Sequence, residues 1–246
     1  MSAVGTLPDM TTHHVRVHQS VLAAAEKRLL VQMAGRLPRW INSDHLTLIA
    51  LAAMAMAGAG YALSRWDTRG LWLVVAALVL NWFGDSLDGT LARVRKVERP
   101  RYGFYVDHVL DIVGITLLLG GLACSGFMTP VIALAMLVAY LLVSGEVFLA
   151  TAVHGVFRIS FAGFGPTELR ILLAIGTIAL FRDPHVDLGA FGRMPLFDFS
   201  GLIATAALAG VLAVAICRNV IALSKSEPRI HHEGHEEHEV ILSKCL

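Results

Sequence analysis

Four aspartates, Asp85, Asp88, Asp107 and Asp111, interrupt otherwise apolar stretches of the chain. An ionised carboxylate at membrane depth costs several kcal/mol, so its presence there points to a function. At about 100° per residue, Asp85, Asp88, Gly89 and Ala92 fall within an arc of about 100° on one helix face. Gly103, Asp107 and Asp111 recur every four residues and line one face of the next helix. The short connection between the two predicts antiparallel neighbours whose acidic faces meet. Four carboxylates in one small volume repel one another unless cations neutralise them. An all-oxygen donor set suits Mg²⁺, Mn²⁺ or Ca²⁺ better than zinc. Two such ions, roughly 3.5–4 Å apart, serve displacement at phosphorus by clamping phosphate oxygens.

The small residues on the same faces, Gly89, Ala92 and Gly103, leave room for a ligand to approach the backbone. Taken singly, each would be ordinary membrane-helix packing. Arg93, one turn beyond Asp88 and Gly89, can pair a phosphate; alone it would be an interfacial arginine reaching for the head groups.

The elements that must position these residues follow from composition. The chain has 246 residues, 56% hydrophobic and 16% charged, and its mean hydropathy is +0.65. Soluble domains are less apolar and more charged, so a soluble globular protein and a disordered chain are poor fits. The net charge of +1 supplies no field for a nucleic-acid partner. Cys124, Cys217 and Cys245 form no ligand-like cluster and read as unpaired packing residues. No apolar run with a cleavage site opens the chain, so no signal peptide is expected.

The fold class predicted is an all-α integral membrane protein of six transmembrane helices, preceded by an N-terminal amphipathic interfacial helix. Residues 1–14 read as disordered. Residues 15–40 carry the surface helix, with Val17, Val21, Leu22, Leu29, Leu30 and Met33 at helical spacing against Arg16, Glu26, Lys27, Arg28 and Arg36. Pro38 ends it. The membrane domain covers 41–224, with spans near 45–64, 70–95, 103–125, 130–153, 166–182 and 196–223, the fifth marginal in length. Ser43 or Asp44 can cap the first span, and Pro130 and Pro166 open the fourth and fifth. The polar His/Glu-rich tail, 225–246, reads as a solvated segment with weak metal-binding potential. With six spans both termini share one side. That side receives Arg93, Arg95, Lys96, Arg99, Arg101 and Arg158, the basic residues of the surface helix and Arg218, Lys225, Arg229 and Lys244. The other receives Arg65, Arg69, Arg182 and Arg193. The basic side, which carries the aspartates about 6–15 Å deep, is therefore predicted to be cytoplasmic. It also suits anionic lipid head groups.

From Asp85 to Asp111 the chain reads Asp-Ser-Leu-Asp-Gly-Thr-Leu-Ala-Arg, nine residues, then Gly-Phe-Tyr-Val-Asp-His-Val-Leu-Asp. This resembles the signature of the CDP-alcohol phosphotransferase (class I CDP-alcohol phosphatidyltransferase) family at all eight of its positions. The six-span plan and the surface helix resemble the family over residues 15–223. The resemblance implies an enzyme that cleaves the pyrophosphate of a CDP-linked alcohol, transfers the phosphoryl-alcohol part to a second alcohol and releases CMP. Asp85, Asp88, Asp107 and Asp111 would hold two Mg²⁺ or Mn²⁺ ions. Asp111 would also be the general base for the acceptor hydroxyl. Gly89 and Arg93 would contact the donor, with Ala92 and Gly103 leaving it space. A homodimer is also implied. Family members often carry Pro-Asn-x-Leu-Thr before the first span; here Ser43-Asp44-His45-Leu46-Thr47 keeps only the last two, so the contacts of that Asn are not carried over to this chain.

The acceptor is less defined. A phosphorylated acceptor needs basic residues, and Arg158 and Arg170 are candidates. Glu146 and Glu168 would suit a cationic head group, although Glu146 also suits a structural pair with Arg170. The segment from Glu146 to Glu168 resembles, loosely, the choline/ethanolamine phosphotransferase branch, which moves a phospho-amino-alcohol from its CDP ester to diacylglycerol. The six-span length is more similar to the phosphatidyltransferase branch, whose donor is CDP-diacylglycerol and whose acceptor is a small polar alcohol. Two other classes fit less well. A membrane prenyltransferase needs a second acidic motif, and after Asp111 the spans offer only Glu146, Glu168 and Asp198. A divalent-cation transporter needs polar groups continuing across the membrane, and Ile115–Leu122 and Val131–Leu142 carry no charge.

Overall fold

The computed structural model describes residues 23–154, 166–189 and 192–226. It contains α1 (Ala23–Arg36), α2 (Ser43–Ser64), α3 (Gly70–Arg95), α4 (Pro100–Ser125), α5 (Pro130–His154), α6 (Pro166–Ala179), β1 (His185–Asp187), β2 (Arg193–Pro195) and α7 (Leu196–Ser226). The strands pair antiparallel, with Val186 opposite Met194, in a hairpin that the apolar pattern did not predict. The expected segments 1–14 and most of 225–246, including Cys245, lie outside the described residues, as does the first part of 15–40.

Five helices, α2, α3, α4, α5 and α7, are long and apolar enough to cross a membrane. The fifth predicted span is shorter than expected. Helix α6 has 14 residues, about 21 Å of rise against a hydrocarbon core of about 30 Å. Its end has a local cause: Phe181 and Arg182 fold into turn hydrogen bonds on Ile178 and Ala179, and Pro184 disfavours helix in the residue before it. Helix α6 runs antiparallel to α3, with Phe181 near Trp72 (centroids 5.0 Å apart) and Arg170 near Asn81 and Asp85. Lipid-facing character is clearest on α5, where Val131, Leu134, Val138, Leu142, Leu149 and Val153 form an exposed apolar stripe.

Helix α2 is the centre of the bundle. It packs on both α3 and α4, whereas α3 and α4 do not pack on one another along their length. The two helices bring their acidic faces together as expected, and along the rest of their length each leans on α2, whose buried positions include Ala50, Ala53, Ala57, Gly58 and Gly60. Small side chains let helix backbones approach closely. At the tightest crossing a Cβ on Gly121 would overlap the backbone of Gly58. On the other face a Cβ on Gly84 would lie 2.6 Å from the Leu46 carbonyl oxygen. The main core gathers Tyr61, Leu71, Val74, Leu78, Leu118, Leu122 and Phe197. The Tyr61 hydroxyl is satisfied within it by Thr177 at 2.7 Å. Cys124 is exposed rather than packed in the core.

Helix α1 buries Leu30 and Ala34 against Leu46, Leu87 and Leu91, while Leu29 and Val31 face outward. Part of its apolar face is thus covered by the protein. Glu26 ties it down by accepting hydrogen bonds from Trp82 Nε1 (2.8 Å) and Thr167 Oγ1 (2.8 Å). Arg95 closes the other end. Its guanidinium donates to the carbonyls of Leu37 (3.1 Å), Pro38 (2.9 Å) and Ile41 (2.5 Å).

The chain forms two units, one through Leu212 and one from Ala213. Of the second, residues 213–226 are described; they are helical and largely exposed.

Candidate metal centre

The acidic site is built where the Arg95-bearing half of α3 and the first turns of α4 approach one another. Asp85, Asp107 and Asp111 each offer a carboxylate oxygen, and the three oxygens lie within 4.8 Å of one another. Asp85 and Asp107 are half-buried and Asp111 is exposed. The expected convergence of the two acidic faces is therefore present.

Asp88 has partners of its own. Its Oδ2 accepts a hydrogen bond from the Thr47 hydroxyl at 2.7 Å, and its Oδ1 accepts the N–H of Gly89. Its backbone carbonyl accepts from Ser43 Oγ at 2.8 Å. Ser43 is available for this because Asn42, not Ser43 or Asp44, is the N-cap of α2. The Asn42 N–H donates to His45 Nδ1 at 3.2 Å. Asp44 pairs instead with Arg99. That carboxylate, as a hydrogen-bond acceptor, raises the Arg99 pKa further. Thr47 and Ser43 thus sit at the site, Thr47 expected only as a match to the family's segment and Ser43 as a cap. The signal was present in Thr47, one of two matches to the family's segment before the first span.

Asp85 is also partnered. Arg170 Nη2 donates to its Oδ2 at 2.5 Å, and Arg170 Nε donates to Asn81 Oδ1 at 2.7 Å. Asn81 is buried and is itself anchored, its Nδ2 donating to the Ala50 carbonyl at 3.0 Å. Arg170, expected to bind the acceptor or to pair with Glu146, has its guanidinium docked on α3 through these two bonds. Asn81 was missed as well, though a lone amide one turn before Asp85 in an apolar run was its signal. Tyr140 on α5, also unforeseen, lies within electrostatic reach of Asp111, Asp85 and Asp107.

The donor-side residues are placed more openly. Arg93 lies back along α3, its Nη2 donating to Thr90 Oγ1 at 3.0 Å. A Cβ on Gly89 would come 3.4 Å from Arg93 Nη1, so the guanidinium lies over that glycine. Ala92 is half-buried beside them. A Cβ on Gly103 would meet nothing within 4 Å, which leaves open space at the start of α4. Glu146 and Glu168 are half-buried on α5 and in the first turn of α6. Arg158 lies outside the described residues.

The donor chemistry fits a hard divalent cation. The triplet is all carboxylate, with no His or Cys, which suits Mg²⁺ or Mn²⁺. A family model described as CDP-alcohol phosphatidyltransferase matches residues 40–217, from the linker before α2 into α7. The chain belongs to the CDP-alcohol phosphatidyltransferase family. No curated protein matches it. As a member of that family it is a membrane transferase that moves a phosphatidyl group from a CDP-alcohol to a second alcohol, and membrane lipids are its surroundings. The match begins after α1, so the helix held by Glu26 and Arg95 lies outside the part shared with the family model.

Proposed function

We propose that this phosphatidyltransferase moves the phosphatidyl group of CDP-diacylglycerol to a small polar alcohol and releases CMP. The observation that carries the proposal is the convergence of Asp85, Asp107 and Asp111 within 4.8 Å. Asp85, Asp107 and Asp111, joined by Asp88, would hold a pair of Mg²⁺ or Mn²⁺ ions. Bound there, such ions would offset pyrophosphate charge and make CMP a better leaving group.

The chain's own residues supply the rest. Asp111 is the exposed member of the triplet, so it can reach an acceptor hydroxyl arriving from outside and take its proton. The acceptor oxygen then bonds to the phosphorus bearing the diacylglycerol, and the bond from that phosphorus to the CMP oxygen breaks. Arg93, lying over Gly89, pairs a donor phosphate. The space at Gly103 admits the nucleotide. Thr47 and the Gly89 N–H fix the Asp88 carboxylate in one orientation, as outer partners do for ligating carboxylates. The basic end of the bundle would face the cytoplasm, giving a water-soluble acceptor access while acyl chains stay in lipid.

The test is CMP release in proteoliposomes. CDP-diacylglycerol with a panel of alcohols is expected to yield CMP and a phospholipid with Mg²⁺ or Mn²⁺, and neither in chelator. A parallel arm uses CDP-choline or CDP-ethanolamine with diacylglycerol. Turnover there alone would move the assignment to the amino-alcohol branch. Absence of CMP in both arms would refute the proposal.

A further inference from the structure

The ion pair between Arg170 and Asp85 has an unusual place: it joins a fixed positive charge to one of the carboxylates expected to hold metal. Arginine stays protonated at any working pH. The pair is partly buried, the two side chains retaining 17% and 23% of their exposure. Arg170 is also docked independently of Asp85, through Nε on the anchored Asn81. Loss of the Asp85 contact would therefore leave the guanidinium still held on α3.

Two electrostatic facts bear on this arrangement. Three carboxylates with oxygens within 4.8 Å destabilise one another when no cation lies between them. A guanidinium bonded to Asp85 relieves that repulsion. The same guanidinium opposes a dication entering the cluster, because like charges at such spacing repel. One side chain thus stabilises the metal-free site and weakens the metal-loaded one.

We propose that Arg170 is a built-in stand-in for a divalent cation, neutralising Asp85 while the cluster is metal-free and yielding that carboxylate when ions enter. It is a positioning residue, not a catalytic one, and the proposal rests on the metal reading of the cluster. Its consequence is a metal affinity set lower than the carboxylates alone would give, with a site that stays formed when empty.

The experiment measures Mn²⁺ binding by electron paramagnetic resonance on the full-length protein in nanodiscs, with thermal melting in EDTA and in Mn²⁺. Arg170→Gln is expected to bind Mn²⁺ about tenfold more tightly than the wild type. It is expected to melt several degrees lower in EDTA, with the deficit disappearing in Mn²⁺. Arg170→Lys keeps the charge and is expected to stay within about twofold of the wild-type affinity. Unchanged or weaker binding by Arg170→Gln overturns the proposal. So does an equal loss of melting temperature with and without Mn²⁺, the sign of a merely structural role. A glutamine variant that fails to fold even in Mn²⁺ overturns it too, because the metal is expected to replace the lost charge. Asp107→Asn separates this proposal from the metal reading. If the wild type binds Mn²⁺ no better than Asp107→Asn, both fall. If it binds better but Arg170→Gln causes no shift, only the stand-in role falls.

Discussion

The two halves of α3 are built on different principles. From Gly70 to Leu80 the helix is held by shape: Leu71, Val74, Ala77 and Leu78 are buried in the main core that also holds Tyr61 of α2. From Asn81 to Arg95 it keeps one apolar side, with Leu87 and Leu91 buried beside Leu30, Ala34 and Leu46, and adds polar bonds reaching in from three other helices. Glu26 of α1 takes Trp82, Thr47 and Ser43 of α2 take Asp88, and Arg170 of α6 takes Asn81 and Asp85. Apolar packing leaves no place for a ligand and tolerates little change. Polar bonds can be exchanged for bonds to a substrate or ion without disturbing the frame. Confinement of the acidic residues to one half lets the same helix serve as scaffold and as site.

The largest effect is expected at the polar half. Asp107→Asn or Asp85→Asn should reduce CMP release by at least about a thousandfold at every Mg²⁺ or Mn²⁺ concentration, while thermal melting shows a folded protein. Near-normal turnover would remove that residue from the metal site. Asp111→Asn should stop transfer and leave CDP-donor binding intact, as measured by calorimetry. At the scaffold the failure should differ in kind. Gly121→Val would drive side-chain atoms into the Gly58 backbone and destabilise the fold by about 3 kcal/mol or more, read as a lower melting temperature or lost expression. A stable Gly121→Val with normal melting would break the contrast between the tightly packed scaffold and the polar site.

Thr47→Val sharpens it on a smaller scale. It should lower activity by about 10–100-fold through misorientation of Asp88, with little change in melting. The smallest effect concerns the hairpin after α6. The His185 N–H and then Arg193 hold the Asp183 pKa below its ordinary value of 3.8. A carboxylate with a lowered folded pKa stabilises the fold above the unfolded value, and that contribution is lost as pH falls through the folded one. Hydrogen exchange of residues 183–195 should therefore accelerate only in strong acid. Acceleration at neutral pH would refute the role given to that carboxylate.

Much of this organisation was legible from residue spacing. Apolar length fixed α2, α3, α5 and α7 to within a few residues, and four-residue spacing placed Asp107 and Asp111 on one face of α4. Periodicity states which side chains share a face; it does not state which helix that face meets. For that reason the central place of α2, packed on both α3 and α4, was not foreseen. Nor were the attachments of Asp88 to Thr47 and of Asp85 to Arg170, which join residues 41 and 85 positions apart. Helix α6 was drawn too long because apolar residues continue to Phe181, past the turn that ends it. Glu26 read as one polar residue of an amphipathic face, since its partners Trp82 and Thr167 are remote in sequence.

The clamp made by Arg95 changes how the surface field should be reckoned. Its cation is turned inward onto peptide oxygens, and the Arg99 charge is matched by Asp44. Attraction to acidic vesicles should accordingly fade with added salt less steeply than a tally of lysines and arginines implies. It should track instead the cations with open solvent around them, such as Lys27 and Arg28.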